Sequence, residues 1–279
     1  MFGIGQLGGQ SAPSDGPSPS PYDPAAQAFF DRAVDPISDT DKGHYNAFFT
    51  ALAQAGCSAD DFDFMWLVRT GAAGNAALDL WGSAYTFTPG GTTGSPVFVP
   101  RVGYDNQGVT PPAFLNTNFF PSGTTKLGLN SGHIGFYRIG IAADAGVSAM
   151  FMLSYNDAFE GVLIAYKIGD NPEEIWAGIN STGSGGLRVP INNKHYIVLD
   201  RADANTINAY GDGSLISSNE DAVTALAAGT APLQCMGSAA TGTGSQDAFA
   251  LFHGGRSLGA AKVAAINAAL VAYVAAVHP

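Results

Sequence analysis

"KHYIVLDRADANTINAYGDGSLISS", residues 194 to 218, sets the architecture. Tyr196 to Arg201 is a short apolar, β-branched run, and Thr206 to Tyr210 and Ser214 to Ser218 are two more, joined at Asp212-Gly213. A two-residue type I′ turn needs positive φ at both centres, and Asp-Gly supplies it. The stretch therefore predicts one strand followed by a β-hairpin.

The same punctuation recurs on both sides. "VFVPRVGY" (97–104), "HIGFYRIGIAA" (133–143), "VSAMFMLSYN" (147–156), "GVLIAYKIG" (161–169), "EEIWAGIN" (173–180), "LQCMGSAAT" (233–241) and "AFALFHGG" (248–255) are β-compatible runs bounded by Gly, Asn, Asp or Pro. With no helical pattern between them, they must pair antiparallel. The economical arrangement is two sheets packed face to face, a mainly β, antiparallel sandwich over residues 95–279.

Helical spacing appears only at the flanks. "PAAQAFFDRAV" (24–34) is followed by "SDTDKGHYNAFFTALAQAG" (38–56), where Tyr45, Phe48, Phe49 and Leu52 fall on one face. Asp39 or Thr40 is the expected N-cap and Gly56 the stop. "SLGAAKVAAINAALVAYVAAV" (257–277) predicts a closing helix with Val263, Ile266, Leu270, Tyr273 or Val274, and Val277 on its apolar stripe. "DDFDFMWLVRTGAAGNAALDLWG" (60–82) reads either as a short helix or as an irregular segment packed by its aromatics. Three parts result: residues 1–24, a helical and aromatic annex over 25–94, and the sandwich.

Composition narrows the function. Charged residues are 13% of the chain, about half the usual fraction of ~25%, so Ser, Thr, Asn, Gly and backbone must carry much of the surface. The net charge of −11 and the absence of any Lys/Arg cluster disfavour nucleic acid, whose phosphates are bound by grouped cations. No window is read as approaching the ~18–20 apolar residues of a membrane span, the Ala-rich C-terminus being the nearest. Membrane insertion is therefore not expected. Cys57 and Cys235 are read as buried free thiols rather than a disulfide.

The N-terminus, "MFGIGQLGGQSAPSDGPSPSPYDP" (1–24), lacks the basic n-region and unbroken apolar core of a signal peptide, so none is expected. It reads either as a terminal tail or as a docking peptide, with Phe2, Ile4 and Leu7 as anchors on a Pro/Ser tether.

Catalytic patterns are missing from the strands. A retaining glycanase places carboxylates at alternate positions of one strand, about 5 to 5.5 Å apart. Glu173 and Glu174 are adjacent and Asp200 and Asp203 are three apart, so neither pair shares a face in that way. His44, His133, His195, His253 and His278 lack metal-ligand spacing. The expectation is a protein that is not an enzyme and needs no cofactor. Calcium is kept as an alternative at "YNDAFEG" (155–161) and "DNPEE" (170–174). Sugar recognition needs an aromatic to stack on a ring and amides or carboxylates nearby, and Tyr155, Asn156, Asp157, Trp176 and Asn180 are the candidates.

Four stretches, "FLNTNFFPSG" (114–123), "HIGFYRIG" (133–140), "YIVLDR" leading into "INAYGDGSLISS" (196–218) and "LFHGGRSLGAAKVAAINAALVAYVAA" (251–276), resemble the concanavalin A-like lectin/glucanase, or laminin-G-like, domains of bacteriophage tail and fibre proteins. The resemblance implies a jelly-roll sandwich that serves in binding or as a structural part of a virion. The expected function is then a virion surface component, a fibre, spike or decoration protein, made in the host cytoplasm. It would bind host-surface glycan through a lectin-like face, attach to other virion subunits by its N-terminal peptide and act as a homo-oligomer. A purely structural bridging module and a divergent polysaccharide depolymerase are the alternatives.

Overall fold

The computed structural model describes residues 20–277 except 83, 92–93, 106–112, 122–124, 129, 140–149, 156–160, 169–170, 181–186, 192, 220–231, 239–242 and 246. Side chains of 150–151, 153–155, 161–173, 238 and 243–244 lie outside the description as well.

The chain begins with α1 (Pro24–Arg32) and α2 (Asp39–Gln54), then β1 (Phe62–Leu67) and a four-residue α3 (Ala73–Ala76). Next come β2 (Phe87–Gly90), β3 (Val97–Val99), β4 (Gly103–Asp105), β5 (Phe114–Thr117), β6 (Gly132–Arg138) and β7 (Met150–Tyr155). The series continues with β8 (Gly161–Ile168), β9 (Asn171–Ile179), β10 (Leu187–Pro190), β11 (Tyr196–Arg201), β12 (Ile207–Gly211) and β13 (Ser214–Asn219). It closes with β14 (Gln234–Cys235), β15 (Gly237–Ser238), β16 (Thr243–Gly244), β17 (Phe249–Gly255) and α4 (Gly259–Val277).

These elements form an antiparallel β-sandwich with helices at both ends of the chain. One sheet runs β13-β12-β11-β6-β17-β4-β3, with β1 also paired to β17; the other runs β10-β9-β8-β7-β14-β5-β2. The Asp212-Gly213 hairpin forms as expected, with φ of 50° and 83° at the two centres.

Burial separates the two sheets. In β1, β6, β11 and β17 every residue is buried, so the first sheet is covered on both faces. Its inner face, with Phe64, Trp66, Phe136 and Phe252, packs against Leu115, Met152, Ile175 and Val189 of the second sheet. Its outer face, with Leu67, Tyr137, Val198 and Leu251, packs under Phe48 and Leu52 of α2 and Ile266 and Leu270 of α4. Strands buried on both sides read as continuous apolar runs, which is why "FDFMWL" lacks alternation. That segment is a strand, not the short helix or irregular stretch expected. β1 and β2 also carry residues before 95 into both sheets, so the 94/95 boundary cuts through the sandwich.

The helical stripes behave as spaced. Tyr45, Phe48, Phe49 and Leu52 are buried, as are Val263, Ile266, Leu270, Tyr273 and Val277. The N-cap of α2 is Ser38 rather than Asp39 or Thr40, its side chain accepting from the Asp41 amide at 3.1 Å. Gly56 ends the helix at φ 72°. By length and composition α4 is long and apolar enough to cross a membrane, contrary to the expectation that no window comes close. Here that apolar length is used to roof the first sheet.

Two buried polar devices fix the roof. Asp200, at the end of β11, accepts from the Leu258 and Gly259 amides at 3.0 Å and the Ser257 hydroxyl at 3.1 Å, capping the first turn of α4 from a neighbouring strand. Beneath the helices, the Tyr196 hydroxyl lies 2.9 Å from His253 Nε2, and His253 Nδ1 lies 2.9 Å from His133 Nε2. His133 Nδ1 meets the Arg256 carbonyl, which only accepts. The tautomers follow from that end: His133 donates from Nδ1, His253 donates from Nδ1 to His133, and Tyr196 donates to His253. Cys57 and Cys235 are buried free thiols, as expected.

Candidate functional site

With three of the four sheet faces packed, the outer face of the second sheet remains. There the strands alternate: Leu187 and Val189 of β10 are buried while Arg188 and Pro190 are exposed, and Leu115 of β5 is buried beside exposed Asn116. On β2, β5, β9 and β10 the described outward side chains of this face are exposed or half-buried.

The register assembles its side chains. On β9, Ile175, Ala177 and Ile179 enter the core, so Glu174 and Trp176 face outward and are half-buried. Trp176 is paired with Arg188 on one side and with Tyr166 on the other. Arg188 Nη1 lies 3.8 Å from Glu174 Oε2, an exposed ion pair beside the indole. At the other end of the sheet, Thr88, Asn116 and Gln234 form a polar row across β2, β5 and β14. An aromatic and an ion pair at one end, with hydroxyl and amide groups at the other, suit a flat polyhydroxylated ligand.

Of the expected sugar contacts, Trp176 is on this face. Asn180 is not: it is buried at φ 51°, and its Nδ2 donates to the Gly128 carbonyl at 3.1 Å, so it holds a loop. Tyr155 ends β7 with its side chain outside the described residues, and Asn156 and Asp157 lie outside them altogether. The docking residues Phe2, Ile4 and Leu7 also lie outside them, as does most of both calcium-candidate loops. Among the described residues no group of three or more His, Cys, Asp or Glu could hold a metal.

A larger cleft, about 460 Å³, lies between α1 and α2 beside Phe30, Val34 and Ile37. Its Asp35 carboxylate accepts from the Gly74 amide at 2.9 Å and is part of the scaffold.

The residues that sequence reading missed are Glu174 and Arg188 as neighbours of Trp176. "LRVP" was not read as a strand, although its alternation of Leu and Val with Arg and Pro was the available signal.

No family model matches the chain, and no curated protein matches it. Solved structures do. The chain is similar to a Trypanosoma rangeli sialidase in complex with 2,3-difluorosialic acid (TM-score 0.52, 12% identity), over 81% of this chain and 38% of that one. It is similar to the botulinum neurotoxin serotype D binding domain (TM-score 0.53, 8% identity), over 75% of this chain and 52% of that one. A third likeness is to the botulinum neurotoxin DC binding domain in complex with rat synaptotagmin II (TM-score 0.55, 10% identity), over 76% and 52%. The chain thus spans about two fifths to half of each of these three structures. At these identities the likeness is one of fold, an antiparallel β-sandwich.

One expectation is corrected by this result. The chain was expected not to be an enzyme, yet sialidases are among the structures it resembles. A lectin-like sandwich therefore does not set the chain apart from enzymes.

Proposed function

We propose that this chain is a glycan-binding β-sandwich that reads sugar through the outer face of its second sheet. The observation that carries the reading is that this face bears Trp176 beside the exposed Arg188–Glu174 pair. An indole offers a ring-sized apolar plate, and the adjoining charged and amide groups offer donors and acceptors to hydroxyls. The sandwich architecture shared with a sialidase solved with a difluorosialic acid supports a carbohydrate partner.

The setting we propose is the surface of a tailed phage or phage-like particle, as a fibre, spike or decoration component, with Phe2, Ile4 and Leu7 docking to other virion subunits. It rests on the sequence resemblance of residues 114–276 and on the spaced apolar anchors of the N-terminus. Several copies on one particle would raise weak sugar binding to useful avidity. The test of the sugar reading is a glycan array with the full chain displayed multivalently, with reducing-end release followed in parallel. Retention of defined glycans supports it, and no retention at any density overturns it. Deleting residues 2–9 tests the docking separately, since loss of particle incorporation by a folded protein is expected and normal incorporation overturns it.

A further inference from the structure

Arg69 follows β1 at the point where the strand runs under α2 and α4. Its residue is 2% exposed, and its own carbonyl accepts from the Tyr273 hydroxyl at 2.9 Å. Two guanidinium nitrogens, Nε and Nη1, are buried without a hydrogen-bond partner. Among the described residues no carboxylate lies within 4 Å of the group. An arginine does not shed its proton to escape this, so among the described residues its charge has no counter-ion.

A small cavity of about 10 Å³ adjoins it, lined by Arg69, Arg101, Asp41, Tyr45, Thr70 and Tyr273 among others. Asp41 does not supply the missing charge. Its carboxylate is met by Arg101 Nη2 at 3.3 and 3.5 Å and by the Ser38 hydroxyl at 2.8 Å. Two guanidinium groups and one carboxylate leave the lining with one net positive charge. The Tyr45 hydroxyl is buried there too, beside the Tyr273 and Thr70 side chains. The unused groups include two N–H donors, and the space is about that of one water-sized sphere.

We propose that this cavity is a halide site, taking chloride between the Arg69 guanidinium and the Tyr45 hydroxyl. Chloride supplies the negative charge and only accepts, matching the N–H donors and the phenol. Water brings no charge, and sulfate or phosphate is too large. Because Arg69 leaves β1, Tyr45 sits on α2 and Tyr273 on α4, an ion there ties the helical roof to the first sheet.

Two measurements on the intact chain test the site. Crystals grown with bromide in place of chloride should show an anomalous peak within hydrogen-bonding distance of Arg69 Nε or Nη1. Above the dissociation constant, the melting midpoint should rise by about 3 °C per tenfold chloride, and not with gluconate at equal ionic strength. Arg69→Met should abolish that chloride dependence. Should the variant fail to fold, the bromide map of the unaltered chain decides. A site filled by water with no anomalous signal, or equal midpoints in chloride and gluconate, overturns the proposal.

Discussion

The imidazole of His253 rests on the bare backbone of Gly135: a Cβ at residue 135 would lie 2.2 Å from His253 Nε2. Gly135 and His253 are register partners on β6 and β17, so the glycine makes the space the ring fills. Gly135→Ala is expected to push the ring off both its partners and to destabilise the fold by about 2 to 4 kcal/mol. Urea unfolding of the variant measures this, and a loss under about 0.5 kcal/mol, the scale of an ordinary surface change, would show that the site relaxes freely.

The same chain of rings makes stability depend on pH. Burial lowers the His133 pKa from 6.5 to about 4, and burial together with His133 lowers that of His253. The unfolded chain therefore binds protons that the folded chain refuses. Stability from these groups is present above about pH 6.5 and is lost as pH falls through that value toward 4. A proton on His133 Nε2 would also set two donors face to face. Denaturation midpoints between pH 7 and 4 should fall, and His133→Gln should flatten the slope.

Asp200 caps α4 with no exposure of its own. Asp200→Ala removes three accepted hydrogen bonds and leaves the buried Leu258 amide and the half-buried Gly259 amide without that partner, so a loss of about 3 kcal/mol is expected. Hydrogen exchange should locate that loss first in residues 258–262. Uniform protection across α4 would contradict the capping role.

Trp176 is the sharpest handle on the proposed sugar face. Trp176→Ala should lower glycan affinity tenfold or more, equivalent to about 1.4 kcal/mol, while changing stability much less than a core substitution would. Arg188→Ala should weaken binding less, because its pairing with Glu174 is exposed and weak. Unchanged affinity in both variants moves the ligand off this face.

Much of the architecture is readable from local signals because those signals report single elements. Asp212-Gly213 needs only its own turn chemistry, and the aromatic stripe of α2 needs only helical spacing. β1 fails that test because a strand buried on both faces loses its alternation. The sugar face is half readable. Trp176 stands out by residue type, but whether it points inward depends on the parity of β9 against the core, which only Ile175 and Ala177 in place can settle. Asn180 looks like a ligand and is spent on Gly128. Arg69 gave no signal, since its isolation arises from α2 and α4 closing over it from distant parts of the chain.

The pairing of β1 with β17 also orders events during synthesis. β1 leaves the ribosome well before its strand partner, residues 251–255. Until then the six residues Phe62–Leu67, five of them apolar, present an open strand edge. Unpaired apolar strands are a common route to aggregation, and ladders between distant segments close slowly. Closing the first sheet thus waits for β17, and an exposed hydrophobic segment must be kept from other chains in the meantime.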